Sequence, residues 1–113
     1  MPLKRVILEM GAGNDLHGSD YTKASIRAVE DALHHSSLSM LRTLGVDKKD
    51  VVVNVTIGVQ KPEQVDIEAV RAILPVGSVS VSAVFGGLDV PDDNREDPAV
   101  IASAAVDVRL DLP

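Results

Sequence analysis

The chain has no cysteine and no tryptophan, and among its 113 residues only Tyr21 and Phe85 are aromatic. Without cysteine there can be no disulfide, no thiolate nucleophile and no cysteine–zinc centre. With 2% aromatic residues, base stacking has almost nothing to work with. Basic runs are also missing: 11 Lys and Arg face 17 Asp and Glu, a net charge of −6. An acidic chain of this kind argues against nucleic acid or an anionic membrane surface as partner. No apolar run reaches the length of a membrane span. The N-terminus, Met1-Pro2-Leu3-Lys4-Arg5, leads into a strand pattern without a signal-peptide core, so a cytoplasmic location is expected.

What is present is 45% hydrophobic residues, enough for one core and too few residues for two. That core must be built from Val, Ile, Leu, Ala and Met. A small domain packed from such short side chains is marginal, and burying a further face in an oligomer would stabilise it.

Hydrophobic periodicity sets out the elements. Arg5–Met10 alternates as a half-buried strand, with Val6, Leu8 and Met10 on one face and Arg5, Ile7 and Glu9 on the other. Gly11–Ser19 reads as a loop, and Ser19 or Asp20 can cap the next helix. Tyr21–Leu44 has a helical stripe of Ile26, Val29, Leu33, Met40 and Leu44, interrupted by Ser36 and Ser37 and ended by Gly45. Val51–Val59 is a β-branched strand, closed by Gln60-Lys61-Pro62. A shorter helix is expected from about Asp66, its cap, to Leu74, where Pro75 and Gly77 stop it.

Ser78–Phe85 alternates, with Val79, Val81, Ala83 and Phe85 inward. Gly86–Pro98 reads as a polar loop, and Ile101–Leu110 as the last strand. The expected fold is therefore α+β in the order β-α-β-α-β-β. Two helices cover one face of a mixed sheet of about four strands, and the last two strands pair antiparallel. The other face would carry Glu9, Asn54, Thr56, Ser80, Ser82, Asp107 and Arg109, too polar for a dry core. It is either solvated or the wet interior of a homo-oligomer, and the short side chains favour the oligomer.

The stretch with chemistry in it is Gly11-Ala12-Gly13-Asn14-Asp15-Leu16-His17-Gly18. Three glycines allow positive φ and close approach to a ligand, and a helix N-terminus follows, where free N–H groups favour an anion. It is not a dinucleotide fingerprint, because Leu16 stands at the third glycine position. Nor is it a phosphate loop: Gly13 and Gly18 have the spacing, but Ser19 replaces the lysine. No cofactor is assigned.

Asp15 and His17 remain as a candidate acid–base pair. A histidine titrates near neutrality, and an adjacent carboxylate can orient it. The competing reading is structural, with Asn14 and Asp15 bonding their own backbone in a turn. Gly11, Gly13, Asn14 and Gly18 would hold the ligand, with Lys61 or Arg109 from a neighbouring subunit meeting negative charge. A metal set of Asp15, His17 and Asp20 is a weaker alternative. His34 and His35 read as a solvated helix face. Asp92, Asp93, Glu96 and Asp97 read as a solvated acidic loop, without the spacing of a calcium loop.

The stretch Gly11–Gly18 fits G-x-G-x-D-x-H-G, and with Val6-Ile7-Leu8-Glu9-Met10 before it the chain resembles a small conserved family of bacteria and, with an N-terminal extension, plants. That family carries no assigned activity. In element order and length the chain is also similar to the fold of Bacillus-type chorismate mutase and the YjgF group. That resemblance implies a trimer with sites in clefts between subunits. The related cyanuric acid hydrolases and barbiturases imply small cyclic amides as a ligand class. The arginine-rich cleft of the former and a serine–lysine pair of the latter are both missing here. Two function classes stay open. One is an enzyme with lyase- or hydrolase-type acid–base chemistry on a small cyclic or polar metabolite. The other is a non-catalytic oligomeric binding or assembly module, or a metal-binding protein.

Overall fold

The computed structural model describes residues 3–16, 18–34, 45, 47, 50–74, 77–93 and 96–111. The elements are β1 (Leu3–Asp15), α1 (Tyr21–His34), β2 (Val52–Val59), a 3-10 turn (Pro62–Gln64), α2 (Ile67–Arg71), β3 (Ser78–Phe85), β4 (Leu88–Val90) and β5 (Ala99–Asp111). The architecture is a mixed α+β sheet of five strands, with main order β1-β5-β2-β3. Positions 35–44 of the expected long helix lie outside the described residues.

β5 is the spine. It pairs antiparallel with β1 along its length, from Leu3↔Asp111 to Asp15↔Val100. On its other side it pairs antiparallel with β2, and then with β4 where β2 has ended. β4 is a fifth strand inside the stretch expected to be loop. The chain reaches it by crossing over Gly58, where Gly87 takes a φ of 60°. A Cβ on Gly87 would lie 2.3 Å from the Ile101 carbonyl oxygen, so the crossing has no room for a side chain. The expected antiparallel pairing of the last two predicted strands is corrected. β3 lies beyond β2 and pairs with it in parallel, Val52↔Ser78 to Val59↔Phe85. A parallel neighbour needs a crossover, and the 3-10 turn and α2 supply it.

The core lies between the sheet and α1. Val53, Val55, Ile57 and Val59 of β2 and Val100, Ala102, Ala104, Val106, Val108 and Leu110 of β5 face Ala24, Ala28, Val29 and Ala32 of α1, all buried. The predicted faces of β2 and β5 match this arrangement. In β1 they are reversed. A bulge between Arg5 and Ile7 shifts the register, so that Ile7 sits opposite Val108 and Glu9 opposite Val106, on the helix side. Leu8 and Met10 therefore point to the open face, where Met10 is 69% exposed.

The cause is two residues further on. Gly11 and Gly13 must face α1, because a Cβ on Gly13 would fall 2.3 Å from the Ala28 amide nitrogen and one on Gly11 2.4 Å from that of Ala32. Period two then carries Ile7 and Glu9 to the same side. Phe85, expected inward, is 74% exposed at the end of β3. The open face of the sheet thus mixes Asn54, Thr56, Ser80, Ser82, Asp107 and Arg109 with exposed Leu8, Met10, Val84, Leu88 and Val90.

Candidate functional site

The head of α1 collects most of the polar chemistry of the described residues. β1 runs to Asp15 rather than ending at Met10, so Gly11 and Gly13 belong to a strand and not to a loop. Their lack of a side chain lets α1 approach β1 backbone to backbone along the stripe Ala24, Ala28 and Ala32. The turn proper is short. Gly18 (φ 95°) and Ser19 (φ 50°) take consecutive left-handed conformations and swing the chain into the helix. Ser19 is the one described non-glycine residue with positive φ.

Asp15 is almost fully buried. Its Oδ2 accepts a hydrogen bond from the Asp20 amide at 3.0 Å. Its Oδ1 lies 3.8 Å from Lys23 Nζ and 3.9 Å from Arg27 Nη1. Asp20 is the cap, its Oδ1 accepting from the Lys23 amide at 2.9 Å. The two carboxylates act in series: Asp15 holds the residue that caps the helix, and both sit where the helix dipole favours negative charge. Arg27 Nη1 also donates to the Asn14 carbonyl at 2.7 Å, and Asp31 Oδ2 accepts from the Ala12 amide at 2.9 Å.

Two contacts of long sequence range close the site. The Gly18 amide donates to Asp97 Oδ2. The Tyr21 hydroxyl donates to Asp89 Oδ2 at 2.5 Å. Burial, then the hydrogen bond to Asp89, then the charges of Asp89 and Glu63 push the Tyr21 phenol up to about 12. The other Asp89 oxygen, Oδ1, is buried and has no hydrogen-bond partner among the described residues. Thr22 ties the helix head to the crossover, accepting from the Asp66 amide at 2.8 Å. On its outer side the head borders an open depression of about 290 Å³ lined by Asp20, Thr22, Lys23, Ile26, Arg27 and Glu30.

Of the predicted site residues, Asp15 and Gly18 are brought together here, and a Cβ on Gly18 would lie 3.8 Å from Asp15 Oδ2. His17 and His35 lie outside the described residues. Asn14 contributes its backbone carbonyl. Lys61 is exposed two residues past the end of β2, at the residue that precedes the 3-10 turn. Arg109 is not part of this site in its own chain. It stands on the open face, bonded to Asp107 at 3.2 Å, about 30 Å along β5 from the Val100 that pairs with Asp15. His34 is exposed in the last turn of α1, beside a second open depression of about 350 Å³.

Sequence reasoning missed Tyr21, Asp89 and the role of Asp97. Asp89 is 68 residues from Tyr21 and Asp97 is 79 from Gly18, and no local pattern spans such gaps. Among the described residues no group of three or more His, Asp or Glu side chains is placed to hold a metal ion, and no helix is long and apolar enough to cross a membrane.

This arrangement defines an α+β protein whose first strand and first helix share a glycine–alanine seam. The chain belongs to the family described as "Conserved hypothetical protein (Lin0512_fam)", which matches residues 5–108. A solved structure of a FtsZ-like protein of unknown function from Nostoc punctiforme is similar to it, with 34% identity over 99% of both chains and a TM-score of 0.84. Among curated proteins, none matches this chain.

Proposed function

We propose that this chain binds a small polar molecule at the head of α1, between the turn at 16–20, Asp89 and Asp97. The observation that carries this reading is the buried Asp89 Oδ1, which has no donor among the described residues while its twin oxygen takes the Tyr21 hydroxyl. A buried carboxylate oxygen without a donor is costly, and a ligand N–H or O–H would relieve that cost. The ligand class is then a small molecule bearing hydrogen-bond donors, such as a cyclic amide or an amine. Asp15 holds the turn, and the imidazole of His17, next to Gly18 in sequence, is the group assigned to move a proton.

The test is a thermal-shift panel of cyclic amides, amines, carboxylates and divalent cations on wild type, Asp89→Asn and His17→Ala. A donor-bearing compound should raise the wild-type melting temperature by mass action. The shift should disappear in Asp89→Asn, which keeps an acceptor for Tyr21 but puts an amide N–H where the ligand's donor needs an oxygen. A shift that survives Asp89→Asn, or a panel without any hit, rejects the site. A shift kept in His17→Ala rejects the role of that histidine.

A second reading is self-association. It is favoured by the open sheet face, where Leu8, Met10, Val84, Leu88 and Val90 are all exposed. Four strands about 4.8 Å apart and up to 13 residues long present a face of roughly 800 Å², what one partner of a standard interface buries. Light scattering tests this reading. A mass of one chain ends it, and a mass of three would match the trimer that the fold resemblance implies.

A further inference from the structure

The two edges of the sheet are treated differently. The edge of β1 is closed by the chain itself. The outward Ala12 N–H donates to Asp31, and the outward Asn14 carbonyl accepts from Arg27. A bulge and the charges of Lys4, Arg5 and Glu9 guard the rest of that edge.

The edge of β3 has none of these devices. Its sequence, Ser-Val-Ser-Val-Ser-Ala-Val-Phe, holds no charge and no proline. The Ser78 amide donates to the Val51 carbonyl and the Gly86 amide to that of Val59, both at 2.9 Å. With period two, the Ser80, Ser82 and Val84 amides also point at β2. Val79, Val81, Ala83 and Phe85 therefore turn their N–H and C=O groups outward. No described residue bonds those groups. On the helix side of this edge Val79, Val81 and Ala83 are only partly buried, and Phe85 is 74% exposed.

We propose that β3 pairs antiparallel with β3 of a second copy of this chain, about a two-fold axis at Ser82. This rests on the reading that the chain self-associates and puts the contact at the edge of the sheet, where the open face of each copy continues into that of the other. The strand fits itself in this register. Val79 comes opposite Phe85 and Val81 opposite Ala83, on the helix side of both copies. Every outward N–H and C=O from Val79 to Phe85 then has a partner, because each opposed pair of this kind exchanges two hydrogen bonds. Opposed Phe85 and Val79 form an aromatic–β-branched pair, which accounts for an aromatic left on the surface. No charge meets a like charge, since the strand carries none. The contact is isologous and closes at two copies.

The absence of cysteine makes the test clean. Ser82 would face its own copy in the non-hydrogen-bonded position, where Cα atoms stand about 4.5 Å apart and a disulfide fits. Wild type should scatter light as twice the 12.0 kDa chain. S82C should oxidise to a covalent dimer, whereas S80C, about 13 Å out of register with its own copy, should not. Val81→Pro removes an outward N–H without touching the β2 pairing, and should leave a folded single chain.

A single-chain mass for wild type overturns both the contact and the reading it rests on. A trimer, or a dimer that survives Val81→Pro and gives no S82C disulfide, overturns the contact alone. If Val81→Pro does not fold, the S82C and S80C comparison still decides.

Discussion

The seam between β1 and α1 and the edge at β3 are opposite ways of finishing a sheet. At the seam, backbone meets backbone: glycines on the strand, alanines on the helix, and Arg27 and Asp31 bonded to the outward backbone of the strand. At β3 the edge strand keeps its alternation, with serines on one face, half-buried apolar residues on the other and an outward backbone that no described residue bonds. The difference teaches that small side chains serve two purposes in this protein. At Gly11 and Gly13 smallness is required by contact. At Ser80 and Ser82 it is merely allowed.

Matched substitutions put this contrast to the test. Gly13→Val drives a side chain into the Ala28 amide and the Ala24 carbonyl, and should cost about 3 kcal/mol or more in urea unfolding. Ser80→Val on the exposed face of β3 should change stability by less than about 0.5 kcal/mol. If the two costs are equal, the seam is not closed in the way described. Asp15→Ala comes next. It removes a buried acceptor from the Asp20 amide and from the reach of Lys23 and Arg27, and should cost about 1–3 kcal/mol by the same measurement. A neutral result would leave Asp15 free of its structural duty.

The smallest effect is read by titration. Tyr21 is the only tyrosine, so near-ultraviolet absorbance reports it alone. Its ionisation should be centred at about 12 instead of 10.0. Because the folded value is the higher one, stability tied to the neutral phenol is fully present below pH 10 and is lost as the pH rises from 10 to about 12. Asp89→Ala, which removes the second and third causes of the shift, should move the midpoint back toward 10. A midpoint that stays near 12 in that variant would leave burial as the cause.

Much of the fold was legible in the chain. β2 follows from its β-branched run, β3 and the buried face of β5 follow from alternation, and residue type points to the cap at Asp66, which bonds the Ala69 amide at 3.2 Å, and to Ser19 or Asp20 at the first helix, where the structure selects Asp20. The errors cluster where a local pattern has two meanings. Gly-x-Gly before a helix signals a loop that approaches a ligand and equally a strand that approaches a helix, and only the neighbour decides. The strand Leu88–Val90 is too short for alternation to register, and it forms because β5 outlasts β2 and offers a bare edge. At the candidate site, Asp15 and Gly18 could be read from the motif. Asp89 and Asp97 could not, since they reach the helix head from the far end of the chain.

By itself the order of residues determined the type of the longer elements, the acidic charge and the exclusion of cysteine chemistry. These depend on composition and on periods of two and 3.6, which act over a few neighbours. The tertiary structure alone decided which face of β1 is buried, that β3 lies beyond β2, and that a carboxylate and a phenol meet at the head of α1. Each of those needs one strand to be placed against another element, and placement is set by packing and hydrogen bonding between residues far apart in sequence.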